Sequence, residues 1–472
     1  MNGGRSTTPR RSARTFFART VQRDGSPSLR RRRRLAPAWE IIGGLLLLVA
    51  GGTTLLALPW SGSTQPLTLD QAAFTAVSAL TTTGLSVIQP GRDLSVFGQV
   101  VLILLMQLGA VGFMAFAVIT FRLLGRRIGF AERVALRDSL GLVDLNAIVR
   151  LTLRVLAGML IIQATGTLLL GLNWAGRYGW GRALYLGLFH SVSAFSNASF
   201  DLFGGGGTAL TNPFPSDTAT LLTIAALIAL GSFGIPVITD LIDWHTHPRF
   251  SLHTKIVIGG WSILTVLGTA LVFFAESQGQ YAFTEAASDR RLLLAFFHVV
   301  ASRTSGFNVQ PIDQLAPAST MTLMSLMFVG GASASTAGGI TIGTFVVLGL
   351  AAAAYIRGSD TIRIGSRAVS PGSVQKAMAI LVVSAGVVGV GTVLLLLTHA
   401  VTLQVALFEA VSAFATCGFS LGLTGQLNGF GRLIVALLML WGRLGPLTIV
   451  LAAGRRQQTA IIQYPEERVL VG

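Results

Sequence analysis

The sequence predicts an all-α membrane protein of four tandem helix–loop–helix repeats, with eight transmembrane helices, four re-entrant half-helices and pseudo-fourfold symmetry. Three observations predict it. Of 472 residues, 52% are hydrophobic and 11% charged, and the mean hydropathy is +0.68, which suits an integral membrane chain and not a soluble domain. A short polar string occurs four times: "LTTTGLS" at residues 80–86, "FSNASFD" at 195–201, "SRTSGFN" at 302–308 and "AFATCGFS" at 413–420. Each string also has the same surroundings: a long apolar segment, an apolar stretch of about 14 residues, the string, and a second long apolar segment.

Residues 1–34 hold eleven arginines against one acid, Asp24. With further basic clusters at 121–138, 247–255, 355–367 and 454–458, they account for much of the net charge of +16. A nucleic-acid footprint gives a similar total. Here the charge is spaced between apolar spans, as the positive-inside rule expects of cytoplasmic loops. Residues 1–38 are expected to be a basic, disordered cytoplasmic tail. The apolar run at 41–58 is too long for a signal-peptide core and lacks a small-x-small cleavage site, so it reads as the first membrane helix.

Aligning the strings on Gly84, Ser199, Gly306 and Gly418 gives spacings of 115, 107 and 112 residues, and such a period defines the architecture. The match extends upstream: Phe74, Phe189, Phe296 and Phe408 lie ten residues before the anchors, Val77, Val192, Val299 and Val411 seven before, and Ala79, Ala194, Ala301 and Ala413 five before. The expected repeats are 39–138, 139–250, 251–367 and 368–472. Outer spans are expected near 41–58, 149–172, 256–274 and 377–397, and inner spans near 96–119, 219–242, 321–353 and 433–453. A span needs roughly 20 apolar residues, so the stretch before each string, such as 183–195, is a half-helix. Eight full spans return both termini to the cytoplasmic side.

Irregular backbone at membrane depth must be buried in protein or line a watery cavity. Four such loops satisfy this by converging on a central pore. Rings of backbone carbonyls replace the water of a dehydrating cation, glycine adopts the backbone angles that aim them, and half-helix C-termini present negative dipole ends. The candidate ion ligands are Thr82, Thr83 and Gly84; Asn197, Ala198 and Ser199; Thr304, Ser305 and Gly306; and Thr416, Cys417 and Gly418. Ordinary helix C-caps with glycine would explain one copy but not four half-helices. Ser199 stands where the other strings have glycine, so that quadrant is expected to be strained.

Residues 330–344, "GGASASTAGGITIGT", place five glycines in an apolar span. Each costs a helix about 1 kcal/mol relative to alanine, so the third inner helix should break there. Gly330, Gly331, Ser333, Ser335, Thr336, Gly338 and Gly339 then line the pathway; a close-packing glycine face is the alternative. Arg443 lies near the middle of the last span, where an unpaired charge costs about 2.5–3.5 kcal/mol. It is expected to bond the carbonyls of residues 330–344, or else those of a neighbouring helix. Asp201 is a candidate for the outer mouth, where a carboxylate concentrates cations, although it could equally be an incidental loop acid. His190, Glu409 and Arg303 read as supports behind the strings. One cysteine excludes an internal disulfide, and the six histidines show neither zinc spacing nor a hydrolase constellation. No transition metal, no cofactor and no enzyme activity is expected of this chain.

From about Trp39 to the C-terminus the chain resembles the Trk/Ktr/HKT superfamily of potassium and sodium transporters. The marks are "TTTGLS", "RTSGFN", "TCGFS", residues 330–344, and "WGRLGPLT" at 441–448; the ending "YPEERVLVG" at 464–472 resembles the bacterial Ktr branch. The resemblance implies a potassium uptake subunit of the bacterial cytoplasmic membrane, with a carbonyl selectivity filter at the strings and an intramembrane gate at 330–344. It implies a homodimer on a cytosolic ring of nucleotide-binding subunits, whose ATP or ADP belongs to that partner. In the plant HKT branch a serine at a filter glycine of the first repeat accompanies sodium preference; here the serine is in the second. The alternatives are a sodium-permeable or sodium-coupled transporter of the same fold, and a substrate-coupled carrier. Carriers usually show two inverted halves, whereas this chain shows four parallel quarters.

Overall fold

The computed structural model describes residues 37–111, 148–203 and 215–445, apart from 243, 245–249, 280, 284–285, 334, 360–361 and 365–366. The arginine-rich start, the basic clusters at 121–138 and 454–458, and the ending at 464–472 lie outside the described residues.

The helices fall into four groups. The first holds α1 (Pro37–Leu56), α2 (Leu69–Leu80) and α3 (Val96–Val111). The second holds α4 (Ile148–Tyr178), α5 (Trp180–Phe195), α6 (Thr218–Ser232) and α7 (Gly234–Ile242). The third holds α8 (Leu252–Glu276), α9 (Ser288–Ser302), α10 (Pro317–Phe328) and α11 (Ile342–Ile356). The fourth holds α12 (Pro371–Thr398), α13 (Leu403–Phe414) and α14 (Gly429–Leu444). A two-residue antiparallel ladder, Arg363–Ile364 with Arg367–Ala368, follows α11.

Among the described residues three helices, Arg154–Tyr178, Leu252–Glu276 and Pro371–Thr398, are long and apolar enough to cross a membrane. Their outer faces expose Ile161, Val266, Val382 and Leu397, while Thr82, Asn197, Thr304 and Thr416 are fully buried. That distribution suits a lipid surround and a polar centre. Helices α2, α5, α9 and α13 have 12, 16, 15 and 12 residues. At 1.5 Å per residue they reach roughly 18–24 Å, short of a hydrocarbon core of about 30 Å. Their C-terminal halves form the middle of the core, with Phe189, Phe297, Phe408 and Phe414 buried.

Packing closes the groups into a cycle. Helix α3 lies on α5, α6 on α9, α10 on α13, and α14 on α2. Within a group the contact is closer still: a Cβ added at Gly109, Gly231 or Gly442 would fall against the carbonyl of Leu80, Phe195 or Phe414, respectively. Each of these carbonyls sits at the end of that group's short helix.

The third inner span breaks as the glycines predict, between Phe328 and Ile342. The second span, expected to be continuous over 219–242, also breaks, at Phe233, with Gly234 at φ 76°. The cause is "GIP", residues 234–236. Pro236 has no N–H for the Ser232 carbonyl four residues earlier. That carbonyl accepts the Ala332 amide of the third span at 2.9 Å instead.

Candidate functional site

The first, second and fourth strings leave their short helices alike, whereas the third leaves with Ser305 N and Gly306 N both bonding Ala301 O at 2.8–2.9 Å. All four share one alternation of backbone angles. The residues two before the anchors are left-handed: Thr82 (φ 53°), Asn197 (55°), Thr304 (72°) and Thr416 (50°). So are the anchors Gly84 (84°), Ser199 (60°), Gly306 (60°) and Gly418 (98°). Thr83, Ala198, Ser305 and Cys417 between them are not. A β-branched residue in this region is an outlier that costs about 1–2 kcal/mol and persists only where the surroundings over-determine it. Here the short helices supply the constraint: Thr83 N, Ala198 N and Cys417 N bond Ser78 O, Ser193 O and Ser412 O at 2.8–2.9 Å. Gly84 N and Gly418 N bond the hydroxyls of Ser78 (3.0 Å) and Ser412 (3.2 Å).

The strings meet although they are more than 100 residues apart. A Cβ added at Gly84 would fall against the Ala198 carbonyl, at Gly306 against Cys417 O, and at Gly418 against Thr83 O. Ser199 completes the circuit, its Oγ donating to Ser305 O. Each anchor thus abuts the preceding-residue carbonyl of the next string, in the order first, second, third, fourth, first. The four anchors and the four residues before them form one closed ring.

The one side chain among the anchors occupies the middle of that ring. Ser199 Oγ lies 2.7–2.8 Å from where a Cβ would stand on Gly84, Gly306 or Gly418, and it also reaches Cys417 O at 2.8 Å. The expected strain is present, since Ser199 keeps the left-handed backbone.

The segment between α10 and α11 crosses beneath the ring and is bonded to all the other groups. Thr336 is the node: its carbonyl accepts Thr82 Oγ1 at 3.1 Å and Arg443 Nη1, and its hydroxyl lies 3.0 Å from Gly231 O and accepts Asn197 Nδ2 at 2.9 Å. Arg443 Nη2 donates to Gly109 O, so the arginine has the carbonyl partners expected of it. A Cβ at Gly338 would strike Thr416, and Gly339 (φ 72°) passes Ala415. Gly330 N bonds Ile340 O at 2.8 Å, Gly331 O accepts Ile342 N at 2.9 Å, and Ser335 Oγ caps Ala332 O at 2.7 Å. Ser333 is exposed.

The supporting residues stand behind the strings. Glu409 accepts Ser420 Oγ at 2.7 Å and also Thr424 Oγ1. His190 Nδ1 lies 2.7 Å from Leu186 O, and its Nε2 accepts Leu202 N at 3.3 Å. His190 therefore holds the backbone just past its string directly, and Glu409 holds its own through the Ser420 and Thr424 hydroxyls. Arg303 is fully buried and points instead to the crossing segment, at Gly330 O (3.4 Å). Asp201 is buried too, with Oδ1 accepting Phe203 N at 2.9 Å, so the carboxylate engages its own loop.

Residues 45–464 match the family described as TrkH, cation transport protein. The chain belongs to the TrkH family. It is 34% identical over 439 residues to the Ktr system potassium uptake protein B of Bacillus subtilis (strain 168), covering 93% of this chain and 97% of that protein. It is 30% identical over 449 residues to the potassium/sodium uptake protein NtpJ of Enterococcus hirae, covering 93% and 98%. The crystal structure of the potassium transporter TrkH from Vibrio parahaemolyticus shares the fold, with TM-score 0.68 and 18% identity over 89% of this chain and 86% of that one. As a TrkH-family member the chain is a cation transport protein and not an enzyme.

Sequence reasoning missed three parts of this TrkH-family site. It placed left-handed backbone at the anchors but not at Thr82, Asn197, Thr304 and Thr416. It overlooked Gly109 and Gly231, which follow their anchors by 25 and 32 residues. It also read through "GIP", whose proline was the available signal.

Proposed function

We propose that this chain is the ion-conducting subunit of a potassium uptake system, with four repeats (39–138, 139–250, 251–367 and 368–472) surrounding one pore. The observation that carries the reading is the closed ring, in which left-handed residues at alternate positions turn successive carbonyls to one side. A cation arriving there exchanges water for those carbonyls and for the hydroxyls beside them. The C-terminal ends of α2, α5, α9 and α13 favour positive charge at the same place. The uptake activities named for the Ktr and NtpJ proteins support potassium as cargo.

Residues 330–344 are the gate in this reading. Gly330, Gly331, Ser335, Thr336, Gly338 and Gly339 hold the segment across the pathway, and Ser333 marks its exposed turn. Arg443 pins Thr336 and repels a cation from below. Asp201 acts at the outer mouth through the loop it braces. The chain sits in the bacterial cytoplasmic membrane with both termini and the basic tail inside. It works with further components, as the word "system" in its relatives' names supports, and in this reading they are a second copy of the chain and a cytosolic nucleotide-binding ring. A sodium-permeable variant of the same function is favoured by one observation, the Ser199 hydroxyl within the ring.

The test is growth of a potassium-uptake-deficient bacterial strain expressing this chain at low potassium. Rescue is expected, and Arg443→Ala should raise basal potassium flux several-fold with the protein folded. Absence of rescue by a membrane-inserted protein would overturn the reading, and unchanged flux in Arg443→Ala would remove the gate role.

A further inference from the structure

The four left-handed residues below the anchors share an imbalance of hydrogen-bond partners. Asn197 Oδ1, Thr304 Oγ1 and Thr416 Oγ1 are fully buried and have no hydrogen-bond partner among the described residues. The hydrogens nearby are better served. Asn197 Nδ2 donates to Thr336 Oγ1 at 2.9 Å and Ser232 Oγ at 3.0 Å, and Thr82 Oγ1 donates to Thr336 O at 3.1 Å. An amide whose N–H groups are both taken keeps its oxygen lone pairs, as does a hydroxyl whose single proton is given away. Buried oxygens without partners are rare and call for an explanation. Three of them, with the Thr82 hydroxyl oxygen at the equivalent fourth position, suit one dehydrated monovalent cation.

The acceptors that collect those donors belong to the crossing segment and to the helix break. Thr336 supplies both a carbonyl and a hydroxyl. Thr336 Oγ1 bonds onward to Gly231 O at 3.0 Å, a carbonyl that lies at the break before Gly234.

We propose that Thr336 is a positioning residue for the innermost cation site, turning the oxygens of Thr82 and Asn197 to the ion while the crossing segment lies beneath the ring. The site binds most tightly with the segment in place. Displacing the segment returns the Thr82 and Asn197 hydrogens to the site, weakens the ion's hold and releases it inward. Gate movement and ion release are then one step, coupled reciprocally as any two linked equilibria must be. This rests on reading the strings as a cation filter.

The experiment uses the full chain in lipid nanodiscs, titrated with potassium chloride against choline chloride at constant ionic strength. Its readout is the potassium concentration at half of the thermal shift, because a ligand that binds only the folded state raises apparent stability. Thr336→Val keeps the shape but loses the hydroxyl acceptor, and should raise that concentration about three- to tenfold, the worth of one hydrogen bond. Thr336→Ser should restore it. If Thr336→Val does not fold, Ser232→Ala removes the other acceptor of the Asn197 amide and should raise it about two- to threefold. A half-point unchanged in the folded variant overturns the inference and leaves the filter reading standing. A wild type without any potassium-dependent shift overturns both.

Discussion

The second and fourth strings, "FSNASFD" and "AFATCGFS", have the same backbone and different centres. Asn197 and Thr416 are left-handed at φ 55° and 50°, and Ser199 and Gly418 at 60° and 98°. Glycine is therefore not what makes the string adopt this conformation, since asparagine, serine and three threonines adopt it too. What glycine provides at the anchor is space: a Cβ on Gly418 would meet Thr83 O, whereas the Cβ of Ser199 stands in the ring and sends its hydroxyl to Ser305 O and Cys417 O. One such intrusion is accommodated among three glycines. The serines six residues before the anchors differ as well: Ser412 Oγ accepts Gly418 N at 3.2 Å, while Ser193 Oγ donates to Phe200 O at 2.7 Å.

Making the strings alike in the wrong direction should have the largest effect. Gly418→Ser places a second side chain where Ser199 Oγ already stands, so potassium uptake should fall about tenfold or more, as expected when a carbonyl ring is obstructed. Uptake close to wild type would show that the ring opens to admit side chains and would end the comparison.

Making them alike in the other direction should have a moderate effect. Ser199→Gly removes the hydroxyl that competes for Ser305 O and Cys417 O, and should raise the potassium-to-sodium flux ratio about three- to tenfold. Ser199→Ala separates the causes, because it keeps the Cβ without the hydroxyl. A ratio in Ser199→Gly that is unchanged or lower makes the serine neutral for selectivity.

The smallest effect should come from the serines beneath. Ser412→Ala leaves the Gly418 N–H without its acceptor, at about 1 kcal/mol. Ser193→Ala leaves a carbonyl under-satisfied, which structures tolerate more readily than an orphaned N–H. Melting in nanodiscs should show the first variant less stable than the second; the reverse order would mean that the hydroxyl roles inferred from the two strings are exchanged.

Much of this site was legible because the repeat is written in side chains. The 115-, 107- and 112-residue spacings placed Gly84, Ser199, Gly306 and Gly418 in equivalent positions, and the glycines of residues 330–344 marked a break that α10 and α11 flank. Arg443 was legible for an energetic reason: a charge at that depth must find carbonyls, and those of Thr336 and Gly109 receive it. Less was visible at Asp201, whose burial depends on how its loop folds back to Phe203, and at Arg303, which reaches Gly330 O.

By itself the sequence determined the all-helical membrane fold class, the short helices and the spacing of the four strings, because hydropathy length and string spacing are local properties of the chain. Only the tertiary structure decided that the anchors touch in cyclic order, that Ser199 Oγ lies in the middle, and that Thr336 gathers donors from three other groups. Those contacts join residues 105 to 254 positions apart. No local pattern encodes their distance, since each exists only once α3, α6, α10 and α14 have packed on the short helix of the following group.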